Sequence, residues 1–479
     1  MRPVVTVGEM GAIDAEALGR VSQAVLVERA GTAVARYALE LLGGAYGRRV
    51  VVVAGKGNNG ADGRVAAERL RRRGARVRVI EAAGAPGAIG PAGTVDLVID
   101  AAYGTGFRGS YRAPSVPAGV PVLAVDIPSG LDGDTGEVSG EPLRADLTVT
   151  FAALKPGLLE GAGPGLAGRV VVADIGLDVS RARTWLVEDE DVDRLLPERP
   201  REAHKWQAAV AVVAGSPGMT GAASLCARAA YRAGAGMVRL GIPGASLREV
   251  PAGEAVGTAL PAEGWAAEAL RMAERCQVLV VGPGLGRSES ASAEVRRLLA
   301  QSEVPVLVDA DGLFALGWSD EGGVARLIRG EGLVEPGRPV RPVVLTPHAG
   351  EFGRLVGGAL GGDRMAATAR YAAATGAVVL LKGSTTVVAD PGGQVLLSTA
   401  GGPQLATAGT GDVLSGVLGA FLARGVPPLE AAGLAAHVHG RASALGPSRG
   451  LLAGDLPELV SRWLSGRPDR TGRGEGGDG

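Results

Sequence analysis

Short, nearly continuous runs of apolar residues alternate along this chain with longer segments in which apolar positions recur every three or four residues. The first run, Arg49–Ala54, reads R-V-V-V-V-A and is typical of a strand buried on both faces of a parallel sheet. Segments of helical period precede it in residues 10–43 and follow it as far as Arg73. The alternation predicts an α/β fold.

The same alternation continues to about residue 464. In the first half it predicts strands at 76–80, 95–99, 120–125, 146–151 and 170–173. In the second half it predicts helices over 222–234, after 348 and from 412 onward, and strands at 208–214, 237–240, 277–281, 304–308, 343–345, 376–381, 386–389 and 395–398. Because strands and helices alternate in both halves, we expect two α/β domains.

Residues 178–201 are rich in charge and contain two prolines, and this change of character predicts the boundary between the domains. We therefore expect one domain over residues 1–196 and a second over 200–466. The halves do not repeat each other's motifs, which indicates a fusion of two different domains. The tail, 467–479, is rich in Gly, Arg and Asp and is expected to be disordered.

Composition and charge narrow the function classes. The chain has 479 residues, of which 46% are hydrophobic, enough for two or three domains with buried cores. Its 49 Lys and Arg against 50 Asp and Glu give a net charge of −1, which argues against nucleic acid or an anionic membrane as a partner. No apolar run is long enough to span a bilayer and the N-terminus lacks a signal-peptide pattern, so we expect a cytoplasmic protein. Cys226 and Cys276 form neither a disulfide framework nor a metal site, and we place them in the core.

Two residue types are rare enough to mark positions. Almost all basic residues of this chain are arginines, and its four lysines are Lys56, Lys155, Lys205 and Lys382. Because an ammonium is a compact donor that a guanidinium cannot replace, a lysine that persists in such a chain is a candidate functional residue. The two asparagines, Asn58 and Asn59, are adjacent, and for the same reason their loop is a candidate functional site.

The first glycine loop follows the first strand and reads G-K-G-N-N-G-A-D-G over residues 55–63. Its glycines match G-x-G-x-x-G, and Glu81 closes the second strand about where a ribose-binding acid belongs, so a dinucleotide-dependent hydride-transfer enzyme is one reading. The loop's Asn and Asp side chains are more polar than that fingerprint needs, which counts against this reading.

Carboxylates stand at or near the ends of successive predicted strands. Asp62, Asp100 and Asp126 could meet along the carboxyl rim of a parallel sheet, where α/β sites form. Oxygen atoms of Asn59, Asp100 and Ser129 would suit a hard cation. Each aspartate taken alone can also be a turn or helix-cap residue.

The second glycine loop, A-T-A-G-T-G-D-V-L-S-G over residues 406–416, enters a predicted helix. Free N–H groups at a helix N-terminus favour an anion, so Gly409 and Gly411 predict a phosphate site with Asp412 acting beside it. The alternative is a plain N-cap aspartate after a turn. The pattern G-x-x-x-x-G-K-[ST] does not occur, so a phosphate here would be held by this loop together with Lys382.

The ordered set of motifs resembles the family of bifunctional NAD(P)H-hydrate repair enzymes, over roughly residues 8–465. In the first half the resemblance rests on G-K-G-N-N-G-A-D-G, A-Y-G-T-G-F-R-G, D-I-P-S-G-L-D and T-F-A-A-L-K-P-G-L. In the second half it rests on H-K, A-G-S-P-G-M-T-G-A-A, G-P-G-L-G, D-A-D-G-L, T-P-H-A-G-E-F, L-K-G-S-T-T and A-T-A-G-T-G-D-V-L-S-G. The G-T-G-D loop alone is typical of the wider ribokinase-like superfamily.

The resemblance implies a Rossmann-like three-layer first domain that epimerises the R and S forms of NADHX and NADPHX. It implies K⁺ bound by Asn59, Asp100 and Ser129, with Asp126 on the substrate. Our hypothesis is that Asp126 is the acid/base residue that opens and recloses the ring at C6. The implied substrate-binding residues are Asn58, Asn59, Gly60, Ala61 and Asp62, then Gly104, Thr105, Gly106, Phe107, Arg108, Gly109 and Ser110.

For the second half the resemblance implies a ribokinase-like α/β domain that dehydrates the S form with ADP, giving AMP and phosphate. Asp412 would take the proton of the C6 hydroxyl, and Mg²⁺ is a candidate cofactor. Substrate contacts are implied at Ala222, Gly286 and His348, and ADP contacts at Lys382, Gly383, Ser384, Thr385, Thr386 and Gly411. We also expect a homo-oligomer.

Two positions depart from the family pattern. Where the family writes N-N-G-G-D, this chain has Ala61, whose methyl group could crowd the loop. After Lys205 the chain continues with Trp206 where the family often has Gly or Tyr, which puts the local nucleotide-side loop in question. His348, after Pro347, can also be read as a helix-capping residue.

Two other functions stay open at this point. The first is a ribokinase-like small-molecule kinase of the thiazole or pyridoxine type, fused to a nucleotide-sensing domain. The second makes the first half a non-enzymatic scaffold or nucleotide-binding module.

Overall fold

The computed structural model describes residues 1–84, 87–91, 93–251, 253–317, 321–329 and 341–466. Within them the chain forms two compact units, which divide between Thr184 and Trp185. The predicted disordered tail lies outside the described residues. Among the helices described, none is both long and apolar enough to cross a membrane.

The first unit is built around a sheet of parallel strands. Its strands are β1 (Arg2–Val4), β2 (Arg49–Ala54), β3 (Arg76–Glu81), β4 (Leu97–Ala101), β5 (Tyr111–Arg112), β6 (Val122–Val125), β7 (Gly140–Glu141), β8 (Leu147–Phe151) and β9 (Arg169–Ala173). Its helices are α1 (Val7–Leu18), α2 (Gln23–Leu42), α3 (Asn58–Arg72), α4 (Pro156–Leu159) and α5 (Gly163–Leu166).

The main sheet of this unit has the order β3-β2-β4-β6-β8-β9, and all of its neighbouring strands are parallel. Strands β2, β4, β6 and β8 are buried along their whole apolar length, as their continuous apolar runs predict. Helices α2 and α3 cover one face together, and Gly31 lets them approach closely because a Cβ there would lie 2.5 Å from Val65. The carboxyl ends of the strands therefore share one rim.

The second unit holds a larger mixed sheet. Its strands are β10 (Thr184–Leu186), β11 (Ala209–Val213), β12 (Met237–Pro243), β13 (Val256–Leu260), β14 (Val278–Val281), β15 (Val306–Val308), β16 (Val343–Leu345), β17 (Val378–Leu381), β18 (Thr386–Ala389) and β19 (Val395–Ser398). Its helices are α6 (Asp189–Leu195), α7 (Gly221–Arg232), α8 (Ala266–Ala273), α9 (Glu289–Gln301), α10 (Asp311–Phe314), α11 (Glu321–Arg329), α12 (Ala349–Leu355), α13 (Arg364–Thr375), α14 (Thr410–Ala423), α15 (Pro428–Ser443) and α16 (Leu456–Ser465), with short 3₁₀ turns at Lys205–Ala208 and Pro403–Leu405.

Strands in this sheet follow the order β10-β19-β18-β17-β16-β15-β14-β11-β12-β13. The strands from β17 to β13 pair in parallel, whereas β18 pairs antiparallel with β17 and with β19. The carboxyl ends of β15, β16 and β17 therefore lie side by side at one edge of the sheet.

Helix α14 is the central helix of this unit and has almost no solvent-facing side. Twelve of its 14 residues are buried, and the exceptions, Gly411 and Asp412, lie in its first turn. Gly416 permits its close packing against α7, because a Cβ there would lie 2.2 Å from the carbonyl oxygen of Cys226. The start of α14 is thus fixed by the core of the unit.

The predicted fold class is confirmed, and so is every strand that a continuous apolar run predicted. Some details differ from the predictions. The single helical region over 10–43 is two helices, α1 and α2, which are separated at residues 19–22 and have Thr6 and Ser22 as their N-cap residues. Strand β13, which contains Gly257 and has one buried residue among its five, was not predicted. Nor were the short strands β1, β5, β7 and β10 or the helices α4, α5, α6, α8, α9, α10, α11 and α13.

Candidate active sites

A cavity of about 530 Å³ opens in the first unit, where the loops after β2, β4, β6 and β8 meet. Its lining brings together most of the residues predicted to bind substrate in this half. They are Asn58, Asn59, Asp62, Gly104, Thr105, Gly106, Phe107, Arg108 and Asp126. Lys155, Asp14 and Gln23 line it as well, and none of these three was predicted to act there.

Four predicted positions are not among the described lining residues. Gly60 and Ala61 lie inside the first turn of α3, and Gly109 and Ser110 lie beyond the part of the loop that reaches the cavity. Gly60 has a packing role, because a Cβ there would lie 1.9 Å from the carbonyl oxygen of Gly55. Ala61 donates from its backbone N–H to the oxygen of Gly57 at 3.1 Å, an ordinary helical bond.

Glu81, the acid that a dinucleotide fingerprint would place on a ribose, is held elsewhere. It accepts two hydrogen bonds from Nη2 of Arg64, at 2.6 and 2.8 Å, and it is not among the described residues that line the cavity. Arg64 also donates to the carbonyl oxygen of Gly55 at 2.8 Å. The arrangement does not favour the hydride-transfer reading.

Asp126 stands at the end of β6 in a left-handed backbone conformation, with φ 66°. Such a φ is uncommon for a residue other than glycine, and it turns the carboxylate into the cavity. Lys155 donates to Oδ1 of Asp126 at 2.8 Å, and Thr150 donates to the same oxygen at 3.1 Å. The buried ammonium of Lys155 therefore stabilises the negative charge on Asp126.

Lys155 itself is only 1% exposed and is fixed from several sides. It also donates to Oγ1 of Thr150 and to the carbonyl oxygen of Phe151, each at 2.9 Å. These bonds compensate much of the cost of burying an ammonium.

Asp62 faces the same cavity from α3 and is 6% exposed. Within the described residues its carboxyl group has neither an ion pair nor a hydrogen bond. Burial, with a further contribution from the charge of Asp126, raises the pKa of Asp62 to about 8. Two carboxyl groups of one cavity thus have opposite environments.

Asp100 ends β4 and is completely buried. Its Oδ2 accepts the backbone N–H of Ser129 at 2.9 Å and its Oδ1 accepts the Ser129 hydroxyl at 2.6 Å. Burial raises the pKa of Asp100, and no cationic side chain of the described residues pairs with it. The backbone N–H of Tyr103 donates to Oγ of Ser129 at 2.9 Å, which ties this pair to the next loop.

Asn59 lies close to that same loop, since a Cβ on Gly104 would be 3.4 Å from its amide carbon. Its Nδ2 is buried and has no hydrogen-bond partner among the described residues. Asn59, Asp100 and Ser129 are thus gathered around the backbone of residues 103–104.

The second unit places its glycine loop as predicted, at the start of α14. Gly409 has φ 93° and is the N-cap, so the chain enters the helix through a conformation that suits glycine. The N–H groups of the first turn, which include Gly411 and Asp412, lack intrahelical acceptors and are available to an anion. Burial and the charge of Asp309 raise the pKa of Asp412 to about 6, against the opposing effect of Lys382.

Lys382 connects the strand ends around this loop. It donates from Nζ to Oδ1 of Asp309 at 2.9 Å and lies 3.9 Å from Oε2 of Glu351. A Cβ on Gly411 would be 3.5 Å from the same Nζ, so the ammonium stands directly before the glycine loop. Ser415 of α14 donates to the other oxygen of Asp309 at 2.7 Å.

Asp309 is 1% exposed, yet its pKa is lowered. Burial raises it, and the charge of Lys382, with hydrogen bonds from Ser415, Lys382 and Thr346, outweighs that effect. Asp309 is therefore a buried ionised carboxylate that holds Lys382 in place.

His348 caps helix α12. Its Nδ1 accepts the N–H groups of Gly350 at 3.0 Å and Glu351 at 3.2 Å, while Glu351 accepts the backbone N–H of His348 at 2.8 Å. The capping interpretation of this residue is thus correct for Nδ1, and the ring stays exposed enough to meet a ligand.

The other predicted substrate contacts lie on neighbouring loops. Gly286 donates from its N–H to Oδ2 of Asp311 at 3.0 Å, and Arg287 donates to the other oxygen of Asp311 at 2.8 Å. Ala222, at the start of α7, faces Gly284, where a Cβ would be 3.1 Å from its methyl group.

Next to these loops is a cavity of about 310 Å³. The guanidinium of Arg287 lies over the ring of Phe314, 5.3 Å from its centroid, and Glu351 and Arg354 complete the polar part of the wall. An apolar floor with guanidinium groups at its edge is suited to an aromatic ring that carries phosphates.

The predicted nucleotide segment, Lys382 to Thr386, joins the antiparallel strands β17 and β18. Gly383 and Ser384 are exposed at its tip, whereas Thr385 is buried. Arg364 supports the segment by donating to the carbonyl oxygen of Thr385 at 2.9 Å. All predicted nucleotide-binding residues therefore stand on β17, this hairpin or the start of α14.

Several residues of the two sites were not assigned a role from sequence, among them Lys155, Asp309 and Asp311. Lysine scarcity was a usable signal for Lys155, because two of the four lysines stand at the two sites beside a carboxylate. Asp309 gave a weaker signal, since a strand-end aspartate is common and its partner Lys382 is 73 residues away.

Two comparisons with protein families cover most of the chain. A family model described as NAD(P)H-hydrate dehydratase matches residues 210–465. One described as YjeF-related protein N-terminus matches residues 23–88 and 80–157.

Relatives match along nearly their whole length. The bifunctional NAD(P)H-hydrate repair enzyme Nnr of Moorella thermoacetica is 36% identical over 527 residues, covering 95% of this chain and 96% of that protein. The protein of the same name from Mycobacterium tuberculosis is 40% identical over 471 residues, covering 90% and 91%. Among solved structures, the ADP/ATP-dependent NAD(P)H-hydrate dehydratase from Bacillus subtilis, co-crystallised with ATP and Mg²⁺, is 29% identical and covers 59% of this chain and 98% of that chain, with a TM-score of 0.49.

Proposed function

The chain belongs to the family of bifunctional NAD(P)H-hydrate repair enzymes, and from that premise we propose that it repairs hydrated nicotinamide nucleotides in two steps. Residues 1–196 epimerise the R and S forms of NADHX and NADPHX. Residues 200–466 dehydrate the S form with ADP, giving AMP and phosphate. One observation carries the proposal: each unit holds a lysine–aspartate pair at its own strand rim. The pair is Lys155 with Asp126 in the first unit, and Lys382 with Asp309, next to the Gly411–Asp412 turn, in the second.

The dehydratase half has the parts that a phosphoryl transfer needs. Asp412 sits in the first turn of α14, where N–H groups and the helix dipole favour a phosphate. Lys382 adds a fixed positive charge, held by Asp309 at 2.9 Å. These groups stabilise charge that develops on a transferring phosphoryl group without having to reorganise.

The chemistry balances without a redox partner. Asp412 takes the proton of the C6 hydroxyl, the oxygen bonds to the β-phosphorus of ADP, and the bond to AMP breaks. The electron pair of the ring nitrogen then helps to expel phosphate from C6. A proton leaves C5 and the C5=C6 double bond of the dihydronicotinamide forms. Asp412 therefore has to be ionised when substrate binds.

The epimerase half has a cavity of about 530 Å³ with Asp126 facing into it. The C6 carbon of the substrate carries both a hydroxyl group and the ring nitrogen, so removal of the hydroxyl proton can open the ring to an aldehyde. Reclosure on the other face inverts C6. Asp126, paired with Lys155 at 2.8 Å, is the residue placed to exchange that proton.

Asn59, Asp100 and Ser129 fit a K⁺ ion on two grounds. The carboxylate of Asp100 is fully buried and has no positive partner among the described residues. The buried Nδ2 of Asn59 also lacks a partner, and turning the amide over would bring an oxygen to that position. The ion would neutralise Asp100 and fix the loop over residues 103–104.

Mg²⁺ has a different fit in the dehydratase half. The described residues contain no group of three or more His, Cys, Asp or Glu side chains arranged for a metal ion. Asp309 is already bound to Lys382 and Ser415. Any Mg²⁺ would therefore be held chiefly by the phosphate oxygens of the nucleotide and by water.

We further propose that the protein is cytoplasmic and forms a homo-oligomer. Light scattering of the purified chain would test the oligomeric state.

The deciding experiment supplies NADHX as separate R and S forms, with and without ADP, and follows NADH absorbance. We expect the S form to be consumed at once with ADP, and the R form to be consumed after epimerisation. Without ADP the two forms should interconvert with no NADH produced. A chain that phosphorylates a thiazole or pyridoxine alcohol with ATP, and leaves NADHX unchanged, would be a kinase instead.

A further inference from the structure

Asp62 is a buried carboxyl group in the epimerase cavity that the proposed chemistry has not yet used. It is 6% exposed, lines the cavity from α3, and has no ion pair or hydrogen bond within the described residues. A substrate-binding carboxylate is ordinarily met by a donor or a cation. Asp62 is buried without either among the described residues, and this burial favours its neutral form.

The other charged groups that line the cavity with Asp62 come from four other segments. They are Asp14 of α1, Arg108 of the loop after β4, Asp126 after β6 and Lys155 after β8. Lys155 is bound to Asp126 at 2.8 Å, so the positive charge nearest the reacting carboxylates is already paired. Of the three carboxyl groups in the lining, Asp126 therefore lies beside a cation, whereas Asp62 has no cation paired with it among the described residues.

We propose that Asp62 is the general acid of the epimerase half and works with Asp126 as the general base. This inference rests on the proposed function and assigns a second reacting residue to it. A pair of carboxyl groups with opposite environments is how one cavity performs acid and base chemistry at the same pH.

The step balances in atoms and electrons. Asp126 takes the proton of the C6 hydroxyl, the oxygen forms a double bond to C6, and the C6–N1 bond breaks with its electron pair going to N1. Asp62 gives its proton to N1, which yields the open-chain aldehyde. Rotation about the bond next to the aldehyde carbon and the reverse transfers close the ring on the other face. Both aspartates end in their starting states.

Two geometric observations support the roles, and the direction in which burial shifts the pKa of Asp62 agrees with them. Asp62 and Asp126 line one cavity, so both can reach a bound ring. Thr150 and Lys155 hold one oxygen of Asp126 and leave the other free toward the cavity. Burial keeps the proton on Asp62 at neutral pH, since its pKa is raised to about 8.

The test measures interconversion of pure R and S NADHX by proton NMR, in the full chain and without ADP so that the dehydratase half is silent. We expect Asp62→Asn to slow interconversion by about 10²–10⁴-fold, with a KM close to that of wild type. The wild-type rate should fall as pH rises through about 8, and the variant should lose that limb. Asp62→Glu should restore part of the rate, because it keeps a carboxylic acid.

Glu81→Gln is the matched control. Glu81 belongs to the same unit and its partner Arg64 is on the same helix as Asp62, but it is exposed and paired with that arginine. It should interconvert the two forms at the wild-type rate. A protonated-carboxyl infrared band at pH 7 that disappears in Asp62→Asn would support the proton assignment without any turnover.

Two results would overturn the inference, and they are distinguishable. If wild type interconverts R and S and Asp62→Asn does so equally fast, or slows only through KM with an unchanged pH profile, Asp62 is not the acid. If wild type interconverts neither form, the proposed epimerase function fails and this assignment fails with it.

Discussion

Lys382 at the end of β17 donates a hydrogen bond of 2.9 Å to Asp309 at the end of β15, across the end of the strand between them. The Asp309 side chain is buried and that of Lys382 is partly exposed. The pair lies next to the glycine loop at the start of α14. Its removal should therefore affect the stability of the unit, and the proposed function gives Lys382 a place at the phosphate site.

The first prediction concerns the stability of this pair. Lys382→Met leaves the Asp309 carboxylate buried without a cation, and should lower the free energy of unfolding by about 3–5 kcal/mol. Asp309→Asn should cost less, because the partly exposed Lys382 can still be hydrated. The double variant should recover part of the Lys382→Met loss. Urea unfolding of the four proteins measures the cycle, and simple additivity of the two losses would show that the pair contributes no coupling.

The second prediction is that Asp412→Asn abolishes dehydration and leaves ADP affinity nearly unchanged, since the N–H groups of α14 and Lys382 remain. In wild type, kcat/KM for dehydration should rise with pH and level off above about 6, where Asp412 is ionised. Asp390→Asn, at an exposed turn, is the control and should behave as wild type. Normal turnover in Asp412→Asn would reject its role as base.

A third prediction follows from the same raised pKa. The folded state holds the Asp412 proton up to about pH 6, whereas the unfolded chain releases it near 3.8. Between those values the folded state binds more protons, so this group lowers the free energy of unfolding as pH rises. Asp412→Asn should therefore be more stable than wild type at pH 7. Denaturation midpoints of both proteins at pH 4 and pH 7 would measure the difference. A variant that is less stable than wild type at pH 7 would contradict the prediction.

The fourth prediction concerns the cation. KCl should raise the melting temperature relative to choline chloride at equal ionic strength, because K⁺ bound to the folded state adds about 2.7 kcal/mol to the free energy of unfolding at a hundredfold excess over Kd. Asp100→Asn should abolish the K⁺ effect. Asp96→Asn, just before the other end of β4 and paired with Arg49, should keep it. An equal K⁺ response in all three proteins would place the ion elsewhere.

The fifth prediction tests the glycine loop. Gly60→Ala places a Cβ about where the Gly55 oxygen already lies, at 1.9 Å, and should cost at least about 1–3 kcal/mol. Gly57→Ala is the matched control, since nothing lies within 4 Å of its Cβ position and its φ is −87°. Chemical denaturation of both variants would decide, and equal stabilities would mean that the loop has room to shift.

Sequence reasoning predicted the buried strands because an uninterrupted apolar run such as Arg49–Ala54 has one common structural meaning. It failed for β13, where Gly257 and exposed positions break the run. It found the glycine loops because glycine is required where backbone passes close to backbone, as at Gly60.

The local environments of the acidic side chains could not be predicted from the sequence. Asp62 and Asp126 look alike as strand-end or loop aspartates, and the difference between them comes from Lys155, which reaches Asp126 from 29 residues away. Asp309 likewise depends on a partner 73 residues away. Partner choice over such distances is set by strand order, and no local pattern encodes it.

Because α14 is buried on almost every side from Val413 onward, its hydrogen-bonded turns can open only when the core around them opens. Amide hydrogen exchange in this part of the helix should therefore report the global unfolding of the unit. Gly383 and Ser384, by contrast, are exposed at the tip of the hairpin between β17 and β18. The proposed phosphate site would thus have one rigid wall, α14, and one exposed wall, this hairpin.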